Sequence, residues 1–351
     1  MSERVFLNLA HRLFLEFMKH SNIPIFIPEL ACPHQCIFCN QAKISGQQDI
    51  PNPEDIPAII ETYLSTMTDG REIEVAFFGG SFTGLPLELQ EQYLRQAFHY
   101  RRENKISGIR LSTRPDYISQ PVLDLLKRYG VTTIELGAQS TRDEVLLASG
   151  RGHKREAIWR ASELILKNDF HLGLQMMIGL PQDSFERSSQ TVEDIISLGA
   201  DNTRIYPTLV IKGTQLAKFY ETGKYQPLDL STAVSWSKRF FLRFEQAGVK
   251  VLRVGLHPSE ELTQGKSLLA GPYHRSFKEL VMTEIWADLL KEELDGYESS
   301  SIALKVHPSQ INFVLGYEAK NSKTIFEPKK LNVKVLGDSK LSKYEIKVSH
   351  C

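Results

Sequence analysis

Along the chain, short apolar runs alternate with longer segments in which apolar positions recur every three to four residues. The short runs have strand length: Ile23–Pro28, Ile73–Phe78, Gly108–Ser112, Thr132–Leu136, His171–Ile178 and Asn202–Pro207. Helical periodicity fills the intervals, over Pro53–Thr68, Leu87–Glu103, Gln120–Tyr129, Arg155–Lys167 and Ser184–Leu198. Six strand–helix units in series predict an α/β fold with a parallel sheet and crossover helices. Right-handed crossovers close such a series into a barrel or partial barrel, (β/α)6.

The unusual residues fall just after these strands. A cysteine-rich loop follows the first, Gly79-Gly80-Ser81 the second and Ser112-Thr-Arg-Pro-Asp116 the third. Gly137-Ala-Gln139-Ser140 follows the fourth, Gly179-Leu-Pro181 the fifth, and Tyr206-Pro207 ends the sixth. In a barrel all six places converge on the C-terminal rim, where active sites are built.

Past Tyr206 the pattern changes. It predicts a helix over Leu230–Ala247, a strand over Lys250–Gly255 and a helix over Ser276–Leu290. A small α+β unit begins near Ser301. Its expected elements are strand Ile302–Val306, helices around Pro308–Leu315 and Asn321–Phe326, and strands Leu331–Val335 and Tyr344–Val348. The expected division is 1–298 for the barrel with its extension and 299–351 for the small unit.

Composition fits a cytosolic enzyme. The 351 residues are 42% hydrophobic, enough for a sizeable core, and there are only four cysteines. Clustered thiols that must stay reduced point to the cytoplasm. The segment Met1 to His20 is apolar but broken by charges, so it reads as an amphipathic helix, neither signal peptide nor membrane span. Formal net charge is zero, which excludes a global basic field. The distribution is uneven: Ser299–Cys351 holds nine lysines and four acids, a local balance of +5. Such asymmetry permits a partner-binding region, and an ordinary solvated surface gives the same count.

Cys32, Cys36 and Cys39 share one short loop, Ala31-Cys-Pro-His-Gln-Cys-Ile-Phe-Cys-Asn40. Thiolates at C-x3-C-x2-C spacing can grip one iron–sulfur cluster. Three ligands for a four-iron cube leave one iron open to a small molecule, as at other catalytic metal sites. A structural Cys3His zinc site with His34 is the rival reading, and buried unliganded cysteines the plain one. Cys351 alone cannot hold a second cluster.

With Phe38 before its third cysteine, the loop resembles the signature of radical S-adenosylmethionine (SAM) enzymes. That resemblance implies a 4Fe-4S cluster on Cys32, Cys36 and Cys39, with SAM on the open iron. It implies a partial TIM barrel of the radical SAM type and a flavodoxin- or ferredoxin-type reductant. Gly79-Gly80 resembles the superfamily's Gly-Gly-Glu motif, with Ser81 in place of the acid. Gln139 and Arg151, 12 residues apart, resemble a pair that holds the SAM carboxylate in coproporphyrinogen-oxidase-like members. A guanidinium fork suits a carboxylate. Ser112 stands where those relatives carry a ribose-binding glutamate, and Met177–Pro181 resembles their adenine-packing segment. Such oxidases add a fourth cysteine two positions past the third; here that position is Gln41.

Longer runs are similar to the catalytic subunit of Elongator and its prokaryotic relatives, which modify the wobble uridine of transfer RNA. They include Gly79-Gly-Ser-Phe82, Ser112-Thr-Arg-Pro-Asp-Tyr117, Ile134–Ser140, Gly150–His153, Met176–Pro181 and Arg204–Leu216. The matching region is about residues 20–290, and the acetyltransferase domain of that family finds no counterpart in it. In the last segment, helix–loop–helix–strand with Gly316-Tyr-Glu-Ala319 resembles a KH-type RNA-binding core lacking its second glycine; a capping unit is the other reading.

The expectation is therefore a radical SAM enzyme acting on RNA, with transfer RNA first. A small-molecule or porphyrin-related substrate is the alternative, and a non-catalytic haem- or cluster-binding protein a third. Phe38, Gly79, Gly80, Ser81, Ser112, Gln139 and Arg151 are expected around the cofactor. Tyr206 and Lys212 are expected at the substrate. Oligomeric state is not readable.

Overall fold

The computed structural model describes residues 19–27, 36–45, 49–67, 71–256 and 260–350. The expected amphipathic helix before Lys19, and Cys32 and His34, lie outside the described residues.

Seven parallel strands make the main sheet: β1 (Lys19–Ile27), β2 (Arg71–Gly79), β3 (Gly108–Thr113), β4 (Val131–Gln139), β5 (His171–Ile178), β6 (Asn202–Pro207) and, after the short β7 (Val210–Ile211), β8 (Lys250–Val254). Their order is β1-β2-β3-β4-β5-β6-β8. The six expected strands and the five helices expected between them are all present. The strand expected at Lys250–Gly255 extends the same sheet beside β6, so the partial barrel has one more strand than the six units required.

Strand side chains alternate between two faces. Ile23 and Ile25, Val75 and Phe77, Ile109 and Leu111, Ile134 and Leu136, Leu172 and Leu174, and Ile205 point outward and are at most 1% exposed. They join one apolar core with helix residues such as Ile60, Leu94, Leu126, Ile158 and Ile195. The helices show why they form where they do. Gln120–Arg128 has Ser119 at its N-cap and a proline in its first turn. It buries Val122, Leu123, Leu125 and Leu126 on one stripe, and Gly130 in the left-handed region follows its basic last turn.

The inner face is polar, and it carries paired charges. Arg110 reaches Glu74 at 2.6 Å and Glu135 at 2.8 Å. Arg204 forks onto both oxygens of Glu135, at 2.6 and 2.9 Å, and its guanidinium lies over the Phe78 ring. His20 closes the chain on Glu74. Burial alone would raise Glu74, but His20 and Arg110 hold its carboxyl down to about 2. Glu135 is likewise pushed up by burial and, more strongly, down by Arg204 and Arg110, so it stays ionised.

The last elements are β9 (Leu268–Ala270), which pairs antiparallel with β7, then helix Phe277–Glu293 and a small sheet. That sheet is β10 (Ser301–Val306), β11 (Asn332–Gly337) and β12 (Ile346–His350), in the order β11-β10-β12. Ile302, Leu304, Val314 and Phe326 share the barrel's apolar cluster with Val281, Ile285 and Trp286. The Gly316–Ala319 loop packs onto helix Phe277–Glu293: Tyr317 N donates to Thr283 Oγ1 at 2.8 Å. A Cβ on Gly316 would meet Thr283 at 2.8 Å. The Tyr317 amide of this loop is thus used inside the fold. The helix expected over Asn321–Phe326 is a single wide turn, Ser322–Phe326.

Candidate functional site

The C-terminal ends of the strands surround a cavity of about 170 Å³. Cys36, Phe38 and Cys39 line it from the first loop, Gly79, Gly80 and Ser81 from the second, and Ser112 from β3. Gln139 and Arg151 line it from the fourth. Nine of the twelve residues singled out from sequence therefore meet on one cavity. Of the remainder, Cys32 is outside the described residues. Tyr206 is half-buried on the inner face of β6 beside Arg204 and does not line the cavity. Lys212 is exposed; its backbone is tied to Ser267 O and accepts a hydrogen bond from Lys43 Nζ.

The cysteine loop is held by backbone. Cys39 N turns back to Cys36 O at 2.9 Å, Ile37 N donates to Ser149 O at 3.2 Å, and Leu216 N donates to Ile37 O at 2.8 Å. Cys36 and Phe38 pack in a separate apolar cluster with Val145, Leu180, Val210, Leu216 and Tyr225. The Gly179–Asp183 turn supports that cluster. Tyr225 Oη donates to Gly179 O at 2.5 Å, and Asp183 accepts from Gly179 N, Ser184 N and Ser188 Oγ. Burial outweighs those bonds and pushes Asp183 up to about 6.

Gly79 has φ +109°, and a Cβ there would lie 2.7 Å from Ile27 O. Only glycine lets the backbone pass this close to β1. Gln41 Nε2 donates to Gly79 O at 2.6 Å, so the residue two positions past the third cysteine ties its loop to the Gly-Gly turn. Ser81 Oγ is bonded to Thr113 Oγ1 at 2.8 Å and accepts from Arg114 N at 3.1 Å.

Gln139 sits at φ +65°, and its Oε1 is buried with no partner among the described residues. Arg151 Nη1 donates to Cys36 Sγ at 3.1 Å and Nη2 to Gly137 O at 2.5 Å. Its Nε is buried and unpaired among the described residues. Buried polar groups without partners are rare, and two of them line this one cavity. His153 is driven down to about 4 by burial and then by Arg151, so it is neutral at neutral pH.

Gln41, Thr113, Arg114, Gly137 and Gln175 also line the cavity and were not singled out from sequence. Gln175 Nε2 bonds Ser112 Oγ at 3.2 Å and Glu135 Oε2 at 2.9 Å, joining the cavity to the charges below it. The alternation of β5 places it inward with Gly173, which was the available signal.

A model of the Radical SAM superfamily matches residues 27–195, and one of the Radical_SAM C-terminal domain matches residues 200–287. The chain is 26% identical over 238 residues to the tRNA uridine(34) acetyltransferase of Methanocaldococcus infernus, an alignment covering 56% of this chain and 44% of that protein. It is 29% identical over 183 residues to Elongator complex protein 3 of Saccharomyces cerevisiae, covering 46% and 33% respectively. The chain thus spans less than half the length of these curated relatives. The archaeal Methanocaldococcus infernus Elp3 lacking residues 1–46 superposes with a TM-score of 0.57 at 19% identity, over 76% of this chain and 63% of that one. That likeness shows the fold.

Proposed function

We propose that this chain, which belongs to the radical SAM superfamily, is an enzyme that uses a 4Fe-4S cluster and SAM to modify RNA, with transfer RNA as its substrate. The observation that carries the reading is the meeting of Cys36 and Cys39 with the Gly79–Gly80 backbone and two unpaired buried polar atoms, Gln139 Oε1 and Arg151 Nε, on one cavity. A cradle of close backbone, thiols and waiting polar groups fits a cluster with a polar organic ligand beside it.

Cys32, Cys36 and Cys39 would hold the cluster, and Phe38 would shield it. When bound, the pair supplies reductive cleavage of SAM to methionine and a 5′-deoxyadenosyl radical. Gly79 and Gly80 offer backbone to the methionine end, Ser112 a hydroxyl to the ribose, and Arg151 with the Gln139 side chain N–H donors to the carboxylate, while Gln139 Oε1 accepts from a donor of the ligand. Arg151 Nε has no partner among the described residues, and Nη1 and Nη2 each use one of their two N–H groups on Cys36 Sγ and Gly137 O, so the guanidinium keeps donors for a carboxylate. Tyr206 on the inner face and Lys212 on the rim stay candidates for substrate contact, with no cavity contact to support them. The RNA reading draws on relatives whose names specify transfer-RNA uridine and Elongator. The cytoplasm as compartment and a flavodoxin- or ferredoxin-type reductant belong to the same reading. Among the described residues no helix is long and apolar enough to cross a membrane.

The test is anaerobic reconstitution followed by product analysis. Reduced protein should bind about four irons and release 5′-deoxyadenosine from SAM, and Cys36→Ala should lose most of the iron. Nucleosides from cells lacking the protein should show one changed transfer-RNA modification. Stoichiometric zinc in place of iron would overturn the cluster, and an unchanged nucleoside profile would overturn the substrate.

A further inference from the structure

Arg151 lies between two glycines in the left-handed region, Gly150 at φ +65° and Gly152 at φ +73°. Such flanks leave the backbone free to turn, and its own side chain has two anchors, Gly137 O and Cys36 Sγ. A third restraint comes from another loop: Arg114 Nη2 donates to the Arg151 carbonyl at 2.5 Å. Arg114 is itself rigidly held. Asp116 takes both prongs of its guanidinium, at 2.9 and 2.8 Å, and Ser81 Oγ accepts its backbone amide. The Arg114 side chain is 4% exposed. Three loops are thereby coupled in series: Asp116 to Arg114, Arg114 to Arg151, Arg151 to the sulfur of Cys36.

We infer that Arg114 is a positioning residue that, clamped by Asp116, sets the Arg151 N–H on the Cys36 sulfur and so raises the reduction potential of the cluster. The inference rests on the cluster reading above. Reduction adds negative charge to a thiolate-bound cluster, and a cationic N–H donor aimed at a ligand sulfur favours the more negative state. An outer partner that orients such a donor changes the metal's properties without touching it. His153, beside this chain of contacts, is neutral at neutral pH and adds no competing charge.

The experiment is a redox titration of the reconstituted full chain, read by the electron paramagnetic resonance of the reduced cluster. At the potential where half the parent is reduced, the ratio of reduced to oxidised cluster in Arg114→Gln should fall about tenfold, or 59 mV for one electron. Iron content should stay at the parental level, and Arg114→Lys should recover part of the shift. Arg151→Gln should shift the potential in the same direction, and adding Arg114→Gln to it should give no further change. A parental potential in Arg114→Gln overturns the inference. So does an undiminished Arg114→Gln shift in the Arg151→Gln background, since Arg114 would then act by another route. Should Arg114→Gln fail to retain iron, Asp116→Asn is titrated under the same criterion, and a parental potential there overturns the inference equally. A parent that binds no iron defeats the cluster reading itself, which separates the two failures.

Discussion

Glu135 and Arg204 meet inside the barrel as a two-pronged pair, with the carboxylate 1% exposed and separated from Arg204 by 69 positions in sequence. Arg110 shares the same carboxylate from the opposite side. Removing one partner of a buried pair leaves a bare charge and costs about 3–5 kcal/mol. Glu135→Gln should therefore lower unfolding free energy by that order in denaturant titration. Glu193→Gln, which breaks the exposed pair with Arg243, should change it little. Equal losses in the two variants would show that the inner charges are solvated.

Acid should unfold the chain through the same groups. Glu74 is held at about 2 against an ordinary carboxyl near 4.5, and Glu135 is also lowered. A depressed folded-state pKa gives stability that is present above the unfolded value and lost as pH falls toward the folded one. Melting temperature should thus be flat in this respect above about pH 5 and fall between about pH 4.5 and 2. Glu74→Gln should shallow that fall. An unchanged slope in Glu74→Gln would exclude Glu74 as a contributor.

Gly79→Ala tests the close approach to β1. The added methyl meets backbone oxygen, not a flexible side chain, and the φ is unfavourable as well. The loss of stability should exceed about 1 kcal/mol. Iron retention should drop with it, because Gln41 of the cysteine loop is anchored on Gly79 O. Gly223→Ala, where no atom lies within 4 Å of the new Cβ, is the control and should keep its iron. Full iron retention in Gly79→Ala would mean that the turn does not support the cysteine loop.

The RNA reading points to lysines on the small sheet and not to those beside the Gly316 loop. Lys320 pairs with Glu284, Lys323 donates to Glu318 O and Lys329 to Leu294 O. On the open face of the small sheet, Lys305 stands directly opposite Lys347, with Lys334 on the neighbouring strand, all three exposed; Glu345, 3.8 Å from Lys347 Nζ, offsets only part of that charge. Like charges placed opposite one another cost stability, and an anionic partner relieves that cost. Changing Lys305, Lys334 and Lys347 to Gln should weaken transfer-RNA binding and lower the salt dependence by about three counterions' worth. Cleavage of SAM without substrate should not change. A low-salt filter assay with no RNA retained by the parent would decide for a small-molecule substrate.

Much of this was legible because strand and helix periods differ, so six strand–helix units stood out and their ends collected the unusual residues. The inner charges were not. Glu74, Arg110, Glu135 and Arg204 come singly from four strands, and only sheet register brings them together. Arg114 and Gln175 lay in runs noticed for their neighbours, and their side chains matter through partners distant in sequence. Lys212 stood near the end of β6, but the chain turns after Pro207 into β7 and carries it to the surface. The Gly316 loop had the shape of a binding motif, yet Thr283, in a preceding helix, takes its amide.

The cysteine loop is pinned by Ser149 O on one side and Leu216 N on the other, both far downstream of Ile37. Contacts between such distant positions form late, after the intervening loops have closed. During synthesis the cysteines leave the ribosome well before the residues that shape their loop. On the cluster reading, metal loading in the native geometry would then follow translation of most of the barrel, and iron captured earlier would bind a chain that does not yet hold its thiols in place.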